Sequence, residues 1–216
     1  MSQGVGDDPD TVRTNRRRWL QATGGVTHVY ARQNHGTAIR VIRADRFDGQ
    51  ATVRTKASPA DALITDVPGI CLSIQTADCQ AVMLFDPEKH VVANVHCGWR
   101  GSVADLIGIV ITRMTLEFQC DPGQMVAAIA PSLGPCCAEF INYKNEIPRQ
   151  LWSFRSGRNH FDFWGISRHQ LTAAGLKDDR VHDARICTRC NTHLFFSYRA
   201  ARQTGRFATL IGMKTQ

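Results

Sequence analysis

Two residues that can bind a metal ion lie close together in residues 74–101, the most distinctive stretch of the sequence. Cys79 precedes an apolar run at 80–85, and His96 follows a second apolar run at 91–95. A short turn separates the two runs, so the pattern predicts an antiparallel hairpin. Such a hairpin places the start of one strand beside the end of the other. Cys79 and His96 are therefore expected to be neighbours, and both are ligands that zinc accepts.

A candidate anion-binding side chain follows His96 directly. Gly98 and Gly101 flank Trp99 and Arg100, and the sequence after them has the pattern of a helix. A cation and free backbone N–H groups at a helix start favour a bound anion. Arg100 can hold phosphate through its fork of donors, although a salt bridge to a surface carboxylate is the alternative. Trp99 is either part of the core or a surface on which a base stacks.

Two further side chains near these motifs could take part in catalysis. Asp78 precedes Cys79 and could orient a ligand histidine or carry a proton, or it could simply cap its own turn. Cys136 and Cys137 follow Gly134-Pro135, where a tight loop could present a thiol as a nucleophile. The alternative for that loop is one buried, inert thiol.

A second cysteine motif, Cys187-Thr188-Arg189-Cys190, lies near the C-terminus with His193 close by. This spacing suits half of a metal site or a redox pair. A single motif of this kind lacks the second pair of ligands that a closed structural zinc site needs. We therefore favour structural or inert thiols here.

Several motifs taken together resemble the YfiH-type family, which is also called the laccase-domain or multicopper polyphenol oxidase family. The motifs occur in the family order and span nearly the whole chain. They are Gln33-Asn34-His35-Gly36, Ala60-Asp61-Ala62-Leu63, Asp78-Cys79, His96-Cys97-Gly98-Trp99-Arg100-Gly101, Gly134-Pro135-Cys136, Phe161-Asp162-Phe163-Trp164, Phe196-Ser197-Tyr198-Arg199 and Thr204-Gly205-Arg206.

The resemblance implies a metal site and an activity. It implies that His35, Cys79 and His96 bind zinc, whereas the residues alone also allow a buried cysteine and two hydrogen-bonded histidines. It also implies purine nucleoside phosphorylase and adenosine deaminase activity, with a nucleoside and phosphate as small-molecule partners. Arg199 and Arg206 are further candidates, after Arg100, for binding the phosphate.

Three functions remain open at this point. The first is a zinc enzyme that cleaves purine nucleosides with phosphate, or deaminates adenosine with water. The second is a copper-dependent polyphenol oxidase, in which Cu²⁺ replaces Zn²⁺ in the same site. The chain has 8 histidines and no His-x-His pair, which argues against a multicopper cluster. The third is a non-enzymatic module that zinc stabilises.

Length and composition are those of one globular domain, residues 1–216. The net charge of +7 comes from scattered arginines, so nucleic acid is not expected as the main partner. No apolar run is long enough for a membrane span, and no signal peptide is recognised, so a cytoplasmic monomer or homodimer is expected. The family's Val-Gly-Asp-Asp-Pro motif stands at 5–9, and the family segment before it is expected to be missing. A more open site and an exposed sheet edge are expected as a result.

The order of predicted elements indicates the α+β class. The resembled family implies layered, central mixed β-sheets with helices on the outside, a CNF1/YfiH-like fold. Helices are predicted at 11–22, 103–118, 147–154 and 165–174. Strands are predicted at 26–31, 37–42, 61–65, 70–75, 80–85, 91–95, 125–130, 161–163, 181–186, 194–198 and 206–211, and a polar loop at 48–59.

Overall fold

The computed structural model describes residues 8–24, 26–44 and 59–214. The loop predicted at 48–59 lies almost wholly outside these described residues. The motif at 5–9 lies partly outside them.

Sixteen helices and strands, labelled in chain order, form the described part of the fold. The helices are α1 (Pro9–Ala22), α2 (Trp99–Val103), α3 (Leu106–Phe118), α4 (Tyr143–Glu146) and α5 (Phe163–Ala173). The strands are β1 (Thr27–Tyr30), β2 (Ile39–Ile42), β3 (Ala62–Thr65), β4 (Ile70–Thr76), β5 (Gln80–Asp86), β6 (Val91–Cys97), β7 (Val126–Ile129), β8 (Arg155–Ser156), β9 (His160–Phe161), β10 (Val181–Asp183) and β11 (Phe207–Gly212). Short 3₁₀ turns lie at Arg149–Phe154 and Asp178–Arg180.

A mixed sheet of six strands, in the order β10-β7-β5-β6-β3-β2, forms the centre of the protein. The hairpin of β5 and β6 lies in its middle, and β6 is buried along its whole length. Residues of β6 therefore alternate between two covered faces, which explains why its apolar run is nearly continuous. The outer pairs, β10 with β7 and β3 with β2, are parallel.

A second mixed sheet, in the order β1-β4-β11, covers one face of the first. Asn94 of β6 is fully buried between the sheets, and its amide nitrogen donates to the carbonyl oxygens of Leu72 and Thr209, at 3.0 and 2.9 Å. This side chain ties the central strand to both β4 and β11. Helices α3 and α5 cover the opposite face and enclose the largest apolar core with β5, β6 and β7.

The structure therefore confirms the α+β class and the layered mixed sheets with helices outside. Among the described residues, no helix is both long enough and apolar enough to pass through a membrane.

Four predicted elements differ from the structure. The helix predicted at 103–118 is interrupted, because Asp105 takes a left-handed conformation with φ of 53° and caps α3 through the N–H of Gly108. The strand predicted at 194–198 is absent from the described fold, where this stretch runs through turns and exposes Leu194 and Tyr198. The predicted helix at 147–154 is a 3₁₀ turn, and the predicted strand at 181–186 is shorter.

Candidate metal and anion site

The hairpin brings two of the predicted metal ligands together. Gln80 pairs with Cys97 and Ala81 with His96, so Cys79, which precedes Gln80, lies beside the end of β6. This is the arrangement that the two apolar runs predicted. The short turn between the strands fixes the register and thereby the position of both side chains.

The third predicted ligand, His35, comes from the loop between β1 and β2. The side chain of Gln33 fastens this loop to β4, since its amide nitrogen donates to the carbonyl of Gln75 at 2.7 Å and its oxygen accepts from the Gln75 N–H at 2.9 Å. His35 itself has a φ of 61°, a left-handed conformation that is uncommon outside glycine. The loop is therefore held in a strained turn that presents the imidazole.

The ligand atoms of His35, Cys79 and His96 all lie within 4.8 Å of one another. The Nε2 atom of His35 is 3.8 Å from the sulfur of Cys79, and the two imidazole ring centres are 4.9 Å apart. Gly98 makes this approach possible, because a Cβ atom there would lie 2.7 Å from the ring of His35.

A buried carboxylate, that of Asp61, holds two of the three ligands in place. Its Oδ1 atom is 2.7 Å from Nδ1 of His96 and accepts the backbone N–H of His35 at 2.9 Å. Its Oδ2 atom accepts the N–H groups of Gly36 and Asn34, at 2.8 and 3.3 Å. A carboxylate at Nδ1 orients the imidazole so that Nε2 is the nitrogen turned towards the other two ligands and available to a metal.

Electrostatics in the site favour a thiolate. Burial alone would raise the pKa of Cys79, but hydrogen bonds from His35 and His96 outweigh it and lower that pKa to about 6. Burial alone would lower the pKa of His96, but its hydrogen bonds to Asp61 and Cys79 raise it to about 9. Cys79 is thus ready to act as an anionic ligand at neutral pH.

The donor set fits a catalytic metal site. One thiolate and two imidazoles are an accepted set of three protein ligands for zinc, with a fourth position left for water or substrate. His35 is exposed, Cys79 is half-buried and all three ligands line the cavity, so a metal held by them would be open to the cavity. The sequence did not single out Asp61 as a site residue, although its Ala-Asp-Ala-Leu motif was recognised.

A cavity of about 1870 Å³ lies over the metal ligands. Among the residues that the structure describes, six arginines and three carboxylates line it, which gives the cavity a positive field suited to anions. All three arginines predicted to bind phosphate are among its lining residues. The arginines are Arg16, Arg32, Arg100, Arg199, Arg202 and Arg206.

The three predicted arginines differ in how firmly they are held. Arg100 is exposed, and its guanidinium carbon lies 4.2 Å from the ring centre of Trp99, so the ring supports the cation from one side. Nη1 of Arg199 donates to the carbonyl of Glu139 at 3.0 Å. Nη1 of Arg206 donates to carbonyls of its own loop. With respect to the described part of the chain, Arg100 therefore keeps more of its donors for a ligand than Arg199 or Arg206 does.

Asp78 holds the cavity wall together. Its carboxylate accepts the hydroxyl of Thr188 at 2.7 Å and the backbone N–H of Arg199 at 2.6 Å, and its carbonyl accepts the N–H of Leu133 at 2.8 Å. The carboxylate that contacts a ligand histidine is that of Asp61, so the structure does not support this one of the three roles considered for Asp78. Asp78 lines the cavity beside Cys79, so its other predicted role, as a proton carrier, stays a prediction.

The structure places Cys136 away from the metal ligands, in a group with Cys137, Cys187 and Cys190. Desolvation, with hydrogen bonds to neighbouring thiols, raises the pKa of Cys136, and the residue does not line the cavity. Both observations argue against the predicted nucleophile. The sulfur of Cys187 behaves differently: burial raises its pKa, but N–H groups of Gly134 and Cys190 donate to it and bring the pKa down to about 7.

A mixed-sheet fold that gathers a cysteine and two histidines on the floor of an arginine-lined cavity defines a metal-dependent enzyme. The chain belongs to the laccase-like YfiH family, since the family model described as "Multi-copper polyphenol oxidoreductase laccase" matches residues 1–214.

Relatives that carry a functional name are similar along nearly the whole chain. The "Purine nucleoside phosphorylase YlmD" of Geobacillus stearothermophilus is 31% identical over 230 residues, covering 100% of this chain and 84% of the relative. A "Purine nucleoside phosphorylase" of Bacteroides thetaiotaomicron is 32% identical over 206 residues, covering 90% of this chain and 76% of the relative.

Solved structures agree with these similarities. The crystal structure of YlmD from Geobacillus stearothermophilus matches with a TM-score of 0.88 and 29% identity, over 100% of this chain and 84% of that one. The crystal structure of the hypothetical protein YfiH of Bacillus licheniformis matches with a TM-score of 0.87 and 25% identity, over 99% of this chain and 85% of that one.

Proposed function

We propose that this protein is a zinc-dependent purine nucleoside phosphorylase, which also deaminates adenosine. The observation that carries the proposal is the position of the ligand set His35, Cys79 and His96 on the floor of a cavity rich in arginine. Relatives about 30% identical along the whole chain are named purine nucleoside phosphorylases, which supports the same reading.

Phosphorolysis exchanges one bond at the sugar. A phosphate oxygen forms a bond to C1′ of the ribose while the bond from C1′ to the purine nitrogen breaks. The electron pair stays with the purine, which takes up a proton, and the products are the free base and ribose-1-phosphate. Positive charge develops on the sugar in the transition state, so a fixed phosphate anion stabilises it electrostatically.

The arginines of the cavity bind the phosphate in this proposal. Arg100 offers exposed donors beside the metal ligands, and Arg199 and Arg206 line the same cavity. A guanidinium can donate two parallel hydrogen bonds to one phosphate, which fixes the direction of attack as well as the charge. Trp99 and Phe140 give the cavity an aromatic wall against which a purine can pack.

The ligand set can hold zinc, and the carboxylate of Asp61 at Nδ1 of His96 orients that ring so that Nε2 can serve as the ligand atom. When bound, zinc supplies a Lewis acid to the reacting groups. The same residues could bind copper, which is the ion that the alternative function as a polyphenol oxidase requires. A metal other than zinc in the purified protein would therefore change the proposed chemistry.

Deamination of adenosine is proposed at the same site. Water adds to C6 of the purine and ammonia leaves, so that inosine forms without phosphate. The two activities separate in an assay because only phosphorolysis depends on phosphate. The unpaired state of all eight cysteines supports a reducing compartment, and a cytoplasmic location is proposed on that basis.

The test is incubation of the purified protein with adenosine or inosine, with and without phosphate, followed by chromatography of bases and nucleosides. We expect adenine or hypoxanthine with ribose-1-phosphate only when phosphate is present, and inosine from adenosine in either case. Cys79→Ala should lose the metal of this site and both activities, since two ligands hold a catalytic metal poorly. Cys120→Ala, which removes a buried thiol outside the site, is the matched control.

Two results would contradict the proposal and favour one of the alternative functions. Oxidation of phenols with copper bound, and no phosphorolysis, would favour the polyphenol oxidase. A folded, zinc-loaded protein without turnover of any of these substrates would favour the non-enzymatic module.

A further inference from the structure

Two separate loops bring four cysteines together outside the candidate active site. Cys136 and Cys137 come from the loop after β7, and Cys187 and Cys190 come from the turn after β10. All four sulfur atoms lie within 4.8 Å of one another. The sequence showed only one pair with the spacing of a metal half-site, and the structure supplies the second pair.

Two sulfur–sulfur distances within this group are close to those around a single tetrahedral metal ion. The sulfur of Cys190 is 3.7 Å from that of Cys136 and 3.6 Å from that of Cys137. Four sulfur atoms placed 2.3 Å from zinc at tetrahedral angles are about 3.8 Å apart. A cluster of several iron atoms would need its cysteine ligands to lie further apart.

Hydrogen-bond donors lie against two of the four sulfurs. Nη1 of Arg189 is 3.6 Å from the sulfur of Cys137. The backbone N–H groups of Gly134 and Cys190 donate to the sulfur of Cys187. Zinc with four thiolates carries a net charge of about −2, so these donors offset charge that the metal alone does not neutralise.

Backbone hydrogen bonds hold the two loops against each other without help from the cysteines. The N–H of Ser132 donates to the carbonyl of Ile186 at 3.1 Å, and the N–H of Thr188 donates to the carbonyl of Ser132 at 3.0 Å. The N–H of Cys137 donates to the carbonyl of Gly134 at 2.9 Å and closes the first loop. The four thiols are therefore positioned before any metal arrives.

We propose that Cys136, Cys137, Cys187 and Cys190 form a second, structural zinc site. Four protein ligands fill a tetrahedral ion and leave no position for a substrate, so the site is closed. Cys136 and Cys190 are exposed, which gives the ion a route to the site.

The second ion fastens the wall of the cavity. The loop that carries Cys136 and Cys137 also supplies Leu133 and Ala138 to the cavity lining. The turn with Cys190 leads directly into the segment that supplies Arg199. This role is independent of the reaction catalysed, so the proposal stands or falls separately from the proposed function.

The test counts metal atoms in proteins purified under reducing conditions. We expect two zinc ions per chain in the natural sequence and one in Cys79→Ala, where the four cysteines are intact. Cys190→Ser should also retain one, and the double variant none. Cys71→Ser, which alters a buried thiol outside both groups, is the matched control and should retain two.

Spectroscopy then identifies the ligands of the second ion. Cobalt loaded into Cys79→Ala should give the intense sulfur-to-metal charge transfer and tetrahedral spectrum of four thiolates. Hydrogen exchange should show faster opening of residues 131–138 in Cys190→Ser than in the control, because the metal would no longer link this loop to the turn that carries Cys187.

Three results would overturn the proposal. The first is a folded Cys79→Ala protein that contains no metal. The second is iron in place of zinc at the four cysteines. The third is a disulfide among the four cysteines, detected by the mass of the intact protein. Cys79→Ala leaves the second site untouched. Its metal content therefore tests the proposal even if Cys190→Ser folds poorly.

Discussion

Replacement of Asp61 by asparagine tests the idea that one buried carboxylate organises the metal site. Asp61→Asn keeps the size of the side chain but exchanges one acceptor oxygen for an NH₂ donor. In either orientation of the amide, that donor faces N–H groups. On one side these belong to His96 and His35, and on the other side to Gly36 and Asn34.

Two losses follow from this mismatch. Each buried donor that loses its acceptor costs about 1–3 kcal/mol, so the free energy of unfolding should fall by roughly 3 kcal/mol. If the NH₂ group faces His96, it forces the imidazole to accept at Nδ1 and to carry its proton on Nε2. The nitrogen that should bind the metal is then blocked. Changes to such supporting residues weaken metal binding about 10- to 100-fold, which corresponds to about 1.4–2.8 kcal/mol.

The assay is competition with a zinc chelator, which measures the affinity of the site that Cys79→Ala abolishes. Asp86→Asn is the matched control. Asp86 is also a buried carboxylate, at the turn end of the β5–β6 hairpin, and it accepts the N–H groups of Glu88, Lys89 and Asp121, at 2.9, 2.9 and 3.1 Å. We expect both variants to lose stability but only Asp61→Asn to lose zinc affinity. Equal zinc affinity in all three proteins, or an equal loss in both variants, would refute the reasoning.

Three further changes test other parts of the site and the fold. Gly98→Ala should weaken zinc binding by displacing His35, whose ring a Cβ would meet at 2.7 Å, and a chelator titration measures this. Arg100→Ala should raise the KM for phosphate about 10- to 100-fold, because a charge-assisted contact is lost. The KM for nucleoside should change much less, and steady-state kinetics with both substrates varied measure the two constants. Burial lowers the pKa of His28, so the unfolded chain binds this proton more readily. The free energy of unfolding should therefore fall as the pH drops through about 6.5, the ordinary pKa of histidine. Denaturant titrations at several pH values should show a shallower fall in His28→Phe. An unchanged pH dependence in that variant would contradict the role given to His28.

The parts of the fold that the sequence predicted are those that local patterns determine. The runs at 80–85 and 91–95, with a short turn between them, sufficed to place Cys79 beside His96. The break at Asp105 was not predictable, since the apolar stripe continues across it and only the left-handed conformation interrupts the helix. The stretch at 194–198 has the composition of a strand, but no neighbouring strand pairs with it in the described fold.

The supporting residues of the site depend on contacts between distant parts of the chain. Asp61 is 35 residues from His96 in sequence, and nothing local indicates that its carboxylate reaches that ring. Likewise, the sulfurs of Cys137 and Cys190 are separated by 53 residues, so their proximity emerges only after the two loops are in place. Motif resemblance indicated the three ligands, but the geometry that orients them required the structure.

Three distant segments of the chain, around His35, Cys79 and His96, must come together before the candidate catalytic metal can bind. The unfolded chain cannot reproduce this arrangement, so a metal ion bound there acts by mass action on the folding equilibrium. A free metal concentration 100 times the dissociation constant would add about 2.7 kcal/mol to the stability. The melting temperature of the protein should therefore follow the metal supply, and metal starvation of a cell would lower the amount of folded enzyme as well as its activity.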